Sequence, residues 1–205
     1  MGGSKRAQTA MWTIALFFAL LAAAGLAGLD RILAGALPQA GPASLWSQGV
    51  ALLDLAALRH IGDWLLPFVL VLAGVLLLVL RATRATGFGL LYAGLVQLVA
   101  YGAADLSKPL FGRVRPTEAA GGADLWFAAG NSFPSGHSAF YAGLFLPLAI
   151  LFPRLFPLWV VPPLFVAAAR VMEADHYLSD VSASLAIAAA LAASLSFLAE
   201  KGREA

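Results

Sequence analysis

The sequence predicts an all-α polytopic membrane protein with six transmembrane helices, and two observations lead to that prediction. Of its 205 residues, 61% are hydrophobic and only 12% are charged, with a mean hydropathy of +0.85. A soluble domain carries about 25% charged residues, so this composition cannot build a water-facing surface. The apolar residues also fall into separate runs close to the ~20 residues that a helix needs to cross a bilayer.

Six such runs follow one another along the chain. The first has 19 residues and stops at Asp30-Arg31; the apolar core of a cleaved signal peptide has only ~7–15 residues, so we expect a permanent span. The sixth run consists of alanine, serine and leucine, small residues that let helices approach closely. The predicted spans are residues 11–29, 64–80, 88–104, 138–152, 155–169 and 181–198.

Residues 30–60 form a mixed segment that begins with prolines and glycine and continues with spaced apolar residues. The spacing of Leu45, Val50, Leu53 and Leu58 favours a short amphipathic helix lying at the membrane interface. Neither this segment nor residues 117–133 carries a recognisable motif, and we expect ligand specificity to depend on these two stretches.

Lysine and arginine place both termini on the cytoplasmic side. With six spans the termini share a side, and its loops and tails hold seven of the 13 basic residues, against six opposite. Three of those six, Lys108, Arg115 and Arg170, belong to polar motifs that suggest a functional site. Without them the count is seven against three. Because basic residues mark the cytoplasmic side, residues 105–137 and 170–180 are predicted to face outward.

Two function classes are disfavoured by what the sequence lacks. It has no cysteine, hence no disulfide, thiolate metal site or catalytic thiol. It has no basic run with interleaved aromatic residues, so nucleic acid is not an expected partner, whereas membrane lipids are.

Three outward-facing segments hold most of the unusual polar residues, and the first contains Lys108 and Arg115. Seven residues separate them, a spacing that returns to nearly the same face of a continuous helix. Gly112 and Pro116 interrupt such a helix, but the two cations can still converge. Alternatively, the segment only anchors to lipid headgroups, as basic residues at interfaces commonly do.

The second segment, Pro134-Ser135-Gly136-His137, precedes the fourth span. Read alone, it is a turn with an incidental histidine. If the helix begins here, the amides of Ser135 and Gly136 are unpaired donors at its positive end, where phosphate binds readily.

The third segment contains Arg170, His176 and Asp180. Asp180 follows His176 by one helical turn, so both share a face. A carboxylate there can fix the imidazole tautomer and leave the other ring nitrogen free to attack. Arg170 lies six residues before His176 and is expected to reach the site across a turn.

Together the segments supply two imidazoles, one carboxylate and three cations. The cations and amides suit a tetrahedral phosphate dianion, and two histidines permit one nucleophile and one general acid. Histidine and aspartate could instead bind zinc, but the three cations would repel a divalent metal ion. We therefore expect neither a metal nor a cofactor.

The ordered trio resembles the signature of the type 2 phosphatidic acid phosphatase (PAP2) superfamily: Lys-x6-Arg-Pro, Pro-Ser-Gly-His and Arg-x5-His-x3-Asp. The six runs look like its bacterial membrane branch, and the resemblance covers about residues 60–200. It implies a single membrane-embedded phosphatase domain over residues 1–205, in a bacterial inner membrane with the active site facing the periplasm.

The resemblance also implies a metal-independent mechanism. His176, oriented by Asp180, would attack phosphorus and form a phosphohistidine. His137 would protonate the leaving lipid oxygen and then activate water. The phosphoryl oxygens would be held by Lys108, Arg115, Arg170 and the amides of Ser135 and Gly136.

The predicted function is hydrolysis of a lipid phosphomonoester or diphosphate: undecaprenyl diphosphate, phosphatidylglycerol phosphate, phosphatidic acid or a lipid A phosphate. A lipid-to-lipid phosphotransferase and a non-catalytic lipid-binding or transport module are the alternatives. Arg113 is expected to face outward toward phosphate or headgroups, and Glu173 and Asp175 to be solvated, as exposed acids commonly are.

Overall fold

The computed structural model describes residues 2–119 and 125–205, and across these residues the chain is helical with no β-strand. Part of the predicted specificity segment, residues 120–124, lies outside the described residues. The helices are α1 (Gly2–Ala24), α2 (Asp30–Ala36), α3 (Leu45–Ala56), α4 (Leu65–Val79), α5 (Arg84–Phe111), α6 (Gly136–Leu151), α7 (Phe156–Met172), α8 (Leu178–Ser194) and α9 (Phe197–Glu204).

Several of these helices are long and apolar enough to cross a membrane. In the described parts of the chain, four helical segments meet this criterion by length and composition: Lys5–Ala36, Arg84–Glu118, Pro153–Met172 and Leu178–Glu204. Helices α4 and α6 are apolar but shorter. The all-α class and a multi-pass membrane protein are thereby supported, with four of the six predicted spans meeting the length criterion.

The first helical segment does not stop at Asp30-Arg31, as the sequence predicted. A π-helical turn, Gly25–Leu29, links α1 to α2, and Gly28 adopts φ +136° at the kink. Helix α2 then begins at Asp30, whose side chain is buried and accepts hydrogen bonds from Arg113 and from Ser179 of α8. The prediction was wrong because Asp30 is satisfied by protein partners and need not reach water.

Helix α5 likewise extends beyond the predicted 88–104, because the charged residues at its end pair within the helix. Lys108 Nζ lies 3.3 Å from Asp105 Oδ1, one turn away. The helix ends at Gly112, which adopts left-handed φ +53° and donates its N–H to the Lys108 carbonyl at 2.8 Å. This glycine-terminated end is a common C-terminal cap.

Small residues bring the helices close together. Ala188, Ala189, Ala192 and Ala193 of α8 are fully buried in the core shared with α1. On α6, a Cβ added to Gly143 would lie 2.7 Å from the Cα of a residue of α5. Close approach of this kind is how membrane helices associate.

The antiparallel arrangement gathers one set of helix ends into a single polar cluster. The C-terminal ends of α5 and α7 meet the N-terminal ends of α6 and α8 there. At the other end of the bundle, Gln8 of α1 donates to the Ala193 carbonyl of α8 at 3.1 Å, and Arg203 of α9 to the Ile150 carbonyl of α6 at 2.7 Å. The three sequence motifs therefore share one end of the molecule.

Candidate active site

His176 lies in the turn between α7 and α8 and is almost completely buried. Its Nδ1 is 2.7 Å from the backbone carbonyl oxygen of Ser132 and 3.6 Å from Asp180 Oδ2. Because a carbonyl only accepts, Nδ1 must carry the proton in this contact. The neutral ring then has its lone pair on Nε2, the state a nucleophile needs.

The sequence predicted Asp180 as the group that fixes this tautomer, whereas the shortest contact comes from Ser132. Asp180 Oδ2 instead accepts hydrogen bonds from Ser132 Oγ at 2.6 Å and from the Tyr177 N–H at 2.8 Å. Asp180 thus caps the start of α8. It also fixes Ser132, whose backbone carbonyl accepts the hydrogen bond from His176. Sequence reasoning missed Ser132 because it belongs to no motif position.

Arg113 is completely buried, so its guanidinium does not reach phosphate or lipid headgroups as the sequence predicted. Its Nη1 donates to Asp180 Oδ1 at 2.5 Å and to Ser179 Oγ at 2.6 Å, while Nη2 donates to Asp30 Oδ2 at 2.8 Å. Buried charges require such pairing. The guanidinium therefore links the catalytic candidate Asp180 to the kinked first helical segment.

Two of the predicted phosphate-binding arginines meet through one carboxylate. Asp175 pairs with Arg170, and its Oδ1 lies 3.4 Å from Arg115 Nη1. Arg170 Nη1 also donates to Glu173 Oε2 at 2.8 Å. Glu173 and Asp175 are therefore paired acids rather than the solvated acids that the sequence predicted, because their turn folds back over Arg170.

Lys108 reaches the start of α6, where a Cβ added to Gly136 would lie 3.2 Å from its Nζ. The amides of Gly136 and His137, in the first turn, have no acceptor within the helix. The Ser135 amide, predicted to be free, donates to the Asp180 carbonyl at 3.2 Å. Ser135 is buried, and its hydroxyl caps α6 by accepting from the Ser138 N–H at 3.4 Å.

His137 has a carboxylate neighbour that the motifs did not reveal. Asp54 of α3 places Oδ2 3.4 Å from His137 Nε2. Its Oδ1 accepts from the Tyr141 hydroxyl at 2.7 Å and from Arg59 Nη1 at 3.1 Å. The signal available in sequence was the one acidic residue of a mostly apolar helix, but nothing local joins it to a histidine 83 residues away.

The surroundings set the charge of two groups outside the membrane-spanning segments. Burial lowers the pKa of His176; Asp180 opposes that shift, and the charges of Arg115 and Arg170 add to it. Burial alone would raise the pKa of Asp54, but hydrogen bonds from His137 and Tyr141 and the charge of Arg59 lower it to about 2. His176 is therefore neutral and Asp54 ionised near pH 7.

The arrangement offers a neutral imidazole, a second imidazole beside a carboxylate, and three cations at one end of the bundle. Among the described residues, no group of three or more histidine, aspartate or glutamate side chains is placed to hold a metal ion. Cations and helix-start amides favour an anion with several oxygens.

A comparison with protein families identifies the chain: residues 87–203 match the PAP2 superfamily. The chain belongs to the PAP2 superfamily. The match includes all three motifs and confirms the resemblance inferred from them. It leaves α1 to α4 outside, and with them Asp30 and Asp54.

Two relatives and one solved structure are similar to this chain. The lipid A 1-phosphatase of Rhizobium johnstonii is 38% identical over 92 residues, 42% of this chain and 38% of that protein. That of Rhizobium etli is 38% identical over 89 residues, 40% of this chain and 38% of that protein. These matches therefore span well under half of either relative.

The solved structure is the transmembrane PAP2-type phosphatidylglycerolphosphate phosphatase from Bacillus subtilis. It superimposes with a TM-score of 0.56 at 24% identity, over 92% of this chain and 95% of that one. The likeness extends to nearly the whole chain and shows that the two proteins share a fold.

Proposed function

We propose that the chain is a membrane lipid phosphatase that cleaves a lipid phosphomonoester or diphosphate through a phosphohistidine. The observation that carries this proposal is the state of His176. Its Nδ1 proton is committed to the Ser132 carbonyl, so Nε2 is the nitrogen with a lone pair, next to Arg115 and Arg170. A nucleophile poised among cations suits attack on a phosphate dianion.

In the first step, His176 Nε2 forms a bond to phosphorus while the bond to the leaving lipid oxygen breaks. His137, protonated, gives that oxygen its proton. In the second step, His137 accepts a proton from water, whose oxygen attacks the phosphohistidine and releases inorganic phosphate. His176 returns to neutral and His137 to its protonated form, so the cycle closes without another reactant.

The phosphoryl oxygens are held by Lys108, Arg115, Arg170 and the Gly136 amide. Before substrate binds, Asp105, Glu173 and Asp175 pair with these cations. A phosphate presents more acceptor oxygens and charge than a carboxylate and can replace these partners. Ser135 contributes by capping α6, since its amide is bonded to Asp180.

Regarding substrate, the named relatives favour a lipid phosphate of the bacterial envelope. The Rhizobium proteins are named for lipid A, and the Bacillus protein for phosphatidylglycerol phosphate. Phosphatidic acid and undecaprenyl diphosphate offer the same chemistry. We place the chain in the inner membrane as one domain with six spans, both termini cytoplasmic and the site facing the periplasm.

The test is His176→Ala, assayed with purified protein and radiolabelled lipid phosphates. We expect wild-type protein to release free phosphate and the variant to lose turnover while remaining monodisperse and lipid-binding, because the attacking nitrogen is gone. Near wild-type turnover in the variant would refute the nucleophile assignment. Label that moves to a second lipid without free phosphate would identify a phosphotransferase, and binding without turnover a transport or binding module.

A further inference from the structure

Helix α3 contributes a charged group to the candidate site from outside the family match. Asp54 is its only acidic residue, and one oxygen of that carboxylate lies 3.4 Å from His137 Nε2. The motifs place His137 at the start of α6, but they supply no acid beside it. The acid comes instead from a segment that the sequence suggested only as an interfacial helix.

The carboxylate is held in place by the fold rather than by His137 alone. Its other oxygen accepts hydrogen bonds from Tyr141 and Arg59, and Arg59 is in turn fixed by Asp63 at 2.8 Å. Asp63 accepts a further hydrogen bond from the Tyr101 hydroxyl at 2.8 Å. Every oxygen of Asp54 therefore has a partner, and its position is determined before any substrate arrives.

Helix α3 is docked closely enough to keep this geometry. Trp46 stacks on Phe165 of α7 with ring centroids 5.4 Å apart. The same phenyl ring fills the space beside Gly49, where a Cβ would lie 2.4 Å from a ring atom. A second polar link joins Ser47 Oγ to Glu173 Oε1 at 2.7 Å.

We propose that Asp54 is a positioning residue that orients His137 and stabilises its protonated form as the general acid. The inference rests on the function proposed above, in which His137 gives a proton to the leaving lipid oxygen. An alkoxide is a poor leaving group, so this proton must be available at neutral pH. The negative charge of a carboxylate in contact with the imidazole favours the imidazolium and so keeps this proton on the ring.

The charges around His137 show why such a partner is needed. Burial lowers the pKa of His137 to about 4, and the charges of Arg59 and Arg170 add to that shift, whereas Asp54 opposes it. Lys108 adds a third positive charge beside Gly136. The opposing negative charges are Asp63 at longer range and Asp54 in contact.

The two histidines differ in the nearest partner of the ring. His176 faces a neutral carbonyl at 2.7 Å, with its carboxylate 3.6 Å away. His137 Nε2 faces a carboxylate oxygen of Asp54 at 3.4 Å. Burial lowers the pKa of both rings, and the contact carboxylate of Asp54 opposes that shift at His137. We therefore assign the acid role to His137 and the nucleophile role to His176.

The experiment compares wild type with Asp54→Asn and Asp54→Glu by two readouts. The first is an NMR titration of protein labelled on the histidine rings. The protein has three histidines: His60, His137 and His176. We expect Asp54→Asn to lower the titration midpoint of His137 by about one pH unit because a contact carboxylate is removed. Asp54→Glu should restore most of the shift, and exposed His60 serves as the internal control.

The second readout is kcat against pH with two substrates. For a lipid monoester, Asp54→Asn should reduce kcat at pH 8 by about 10- to 100-fold, with a smaller change in KM. For 4-nitrophenyl phosphate, whose leaving group needs no proton, the first-turnover burst of nitrophenolate should change less than threefold. Ser47→Ala is the matched control, since it removes the other polar link of α3 and leaves Asp54 in place.

An unchanged His137 midpoint in Asp54→Asn would overturn the inference, as would equal losses with both substrates. A midpoint shift equally large in Ser47→Ala would assign the effect to docking of α3 and also overturn it. The titration does not depend on turnover, so it decides the role of Asp54 even if wild type releases no phosphate. That last result would count against the proposed function alone.

Discussion

Replacing Asp30 by alanine should destabilise the protein far more than its position near the end of the first helical segment suggests. Asp30 accepts from Arg113 Nη2 at 2.8 Å and from the Ser179 N–H at 3.0 Å. The side chains of Asp30 and Arg113 are 1% and 0% exposed. In the alanine variant, the buried guanidinium loses this carboxylate and keeps its pairing with Asp180.

The magnitude follows from that burial. Losing one partner of a buried ion pair costs about 3–5 kcal/mol when the other charge is left uncompensated. Arg113 keeps Asp180, but the variant also leaves the buried Ser179 N–H without its acceptor, which costs about 1–3 kcal/mol, so a total of about 3–5 kcal/mol is expected. For a chain of this size, 1 kcal/mol corresponds to a shift of about 2–4 °C in Tm, so the expected loss is roughly 6–20 °C. An exposed pair costs about 0–1 kcal/mol.

The assay is thermal unfolding of detergent-purified protein, followed by tryptophan fluorescence. Asp105→Ala is the matched control, because Asp105 also pairs with a cation but is 34% exposed. We expect the control to lie within about 4 °C of wild type. An Asp30→Ala variant no less stable than the control would refute the argument that Arg113 depends on buried charge pairing.

Two further predictions concern the proposed chemistry. The neutral form of His176 attacks and its pKa is lowered, so the acidic limb of kcat/KM, where His176 gains a proton, should lie below the ordinary histidine value of about 6.5. Arg115→Gln removes a positive charge that lowers this pKa, so the acidic limb should move to higher pH relative to the variant's own plateau; an unmoved limb would contradict the assignment. Dialysis against EDTA should leave turnover intact, since cations rather than a metal hold the phosphate, whereas a loss that added metal ions reverse would refute metal independence.

The helical class and the family were predictable because both depend on local patterns. A low charge content and apolar runs near 20 residues require helices in lipid. The motif spacings, such as the four residues from His176 to Asp180, are set by one helical turn. Helix ends were less predictable: α2 begins at Asp30 and α5 runs on past Asp105, because protein partners satisfy their charges.

The partners of the candidate catalytic residues were not predictable, because they come from distant segments. The Ser132 carbonyl lies 44 residues from His176, Arg113 lies 67 from Asp180, and Asp54 lies 83 from His137. No periodicity connects such positions. The burial of Arg113 was not predictable either, because nothing in the residues around it distinguishes it from the nearby Arg115.

The sequence by itself determined the membrane environment, the helical class and the identity of the motif residues, since composition and short-range spacing carry that information. The tertiary structure alone decided that a carbonyl faces His176, that a carboxylate faces His137, and that Arg113 joins Asp180 to the first helical segment. The physical reason is that each contact joins segments far apart in the chain: the Asp30 and Asp54 contacts depend on how α2 and α3 dock, and the Ser132 contact on how the loop before α6 meets the turn before α8. That docking arises from packing and buried polar pairing between segments far apart in the chain.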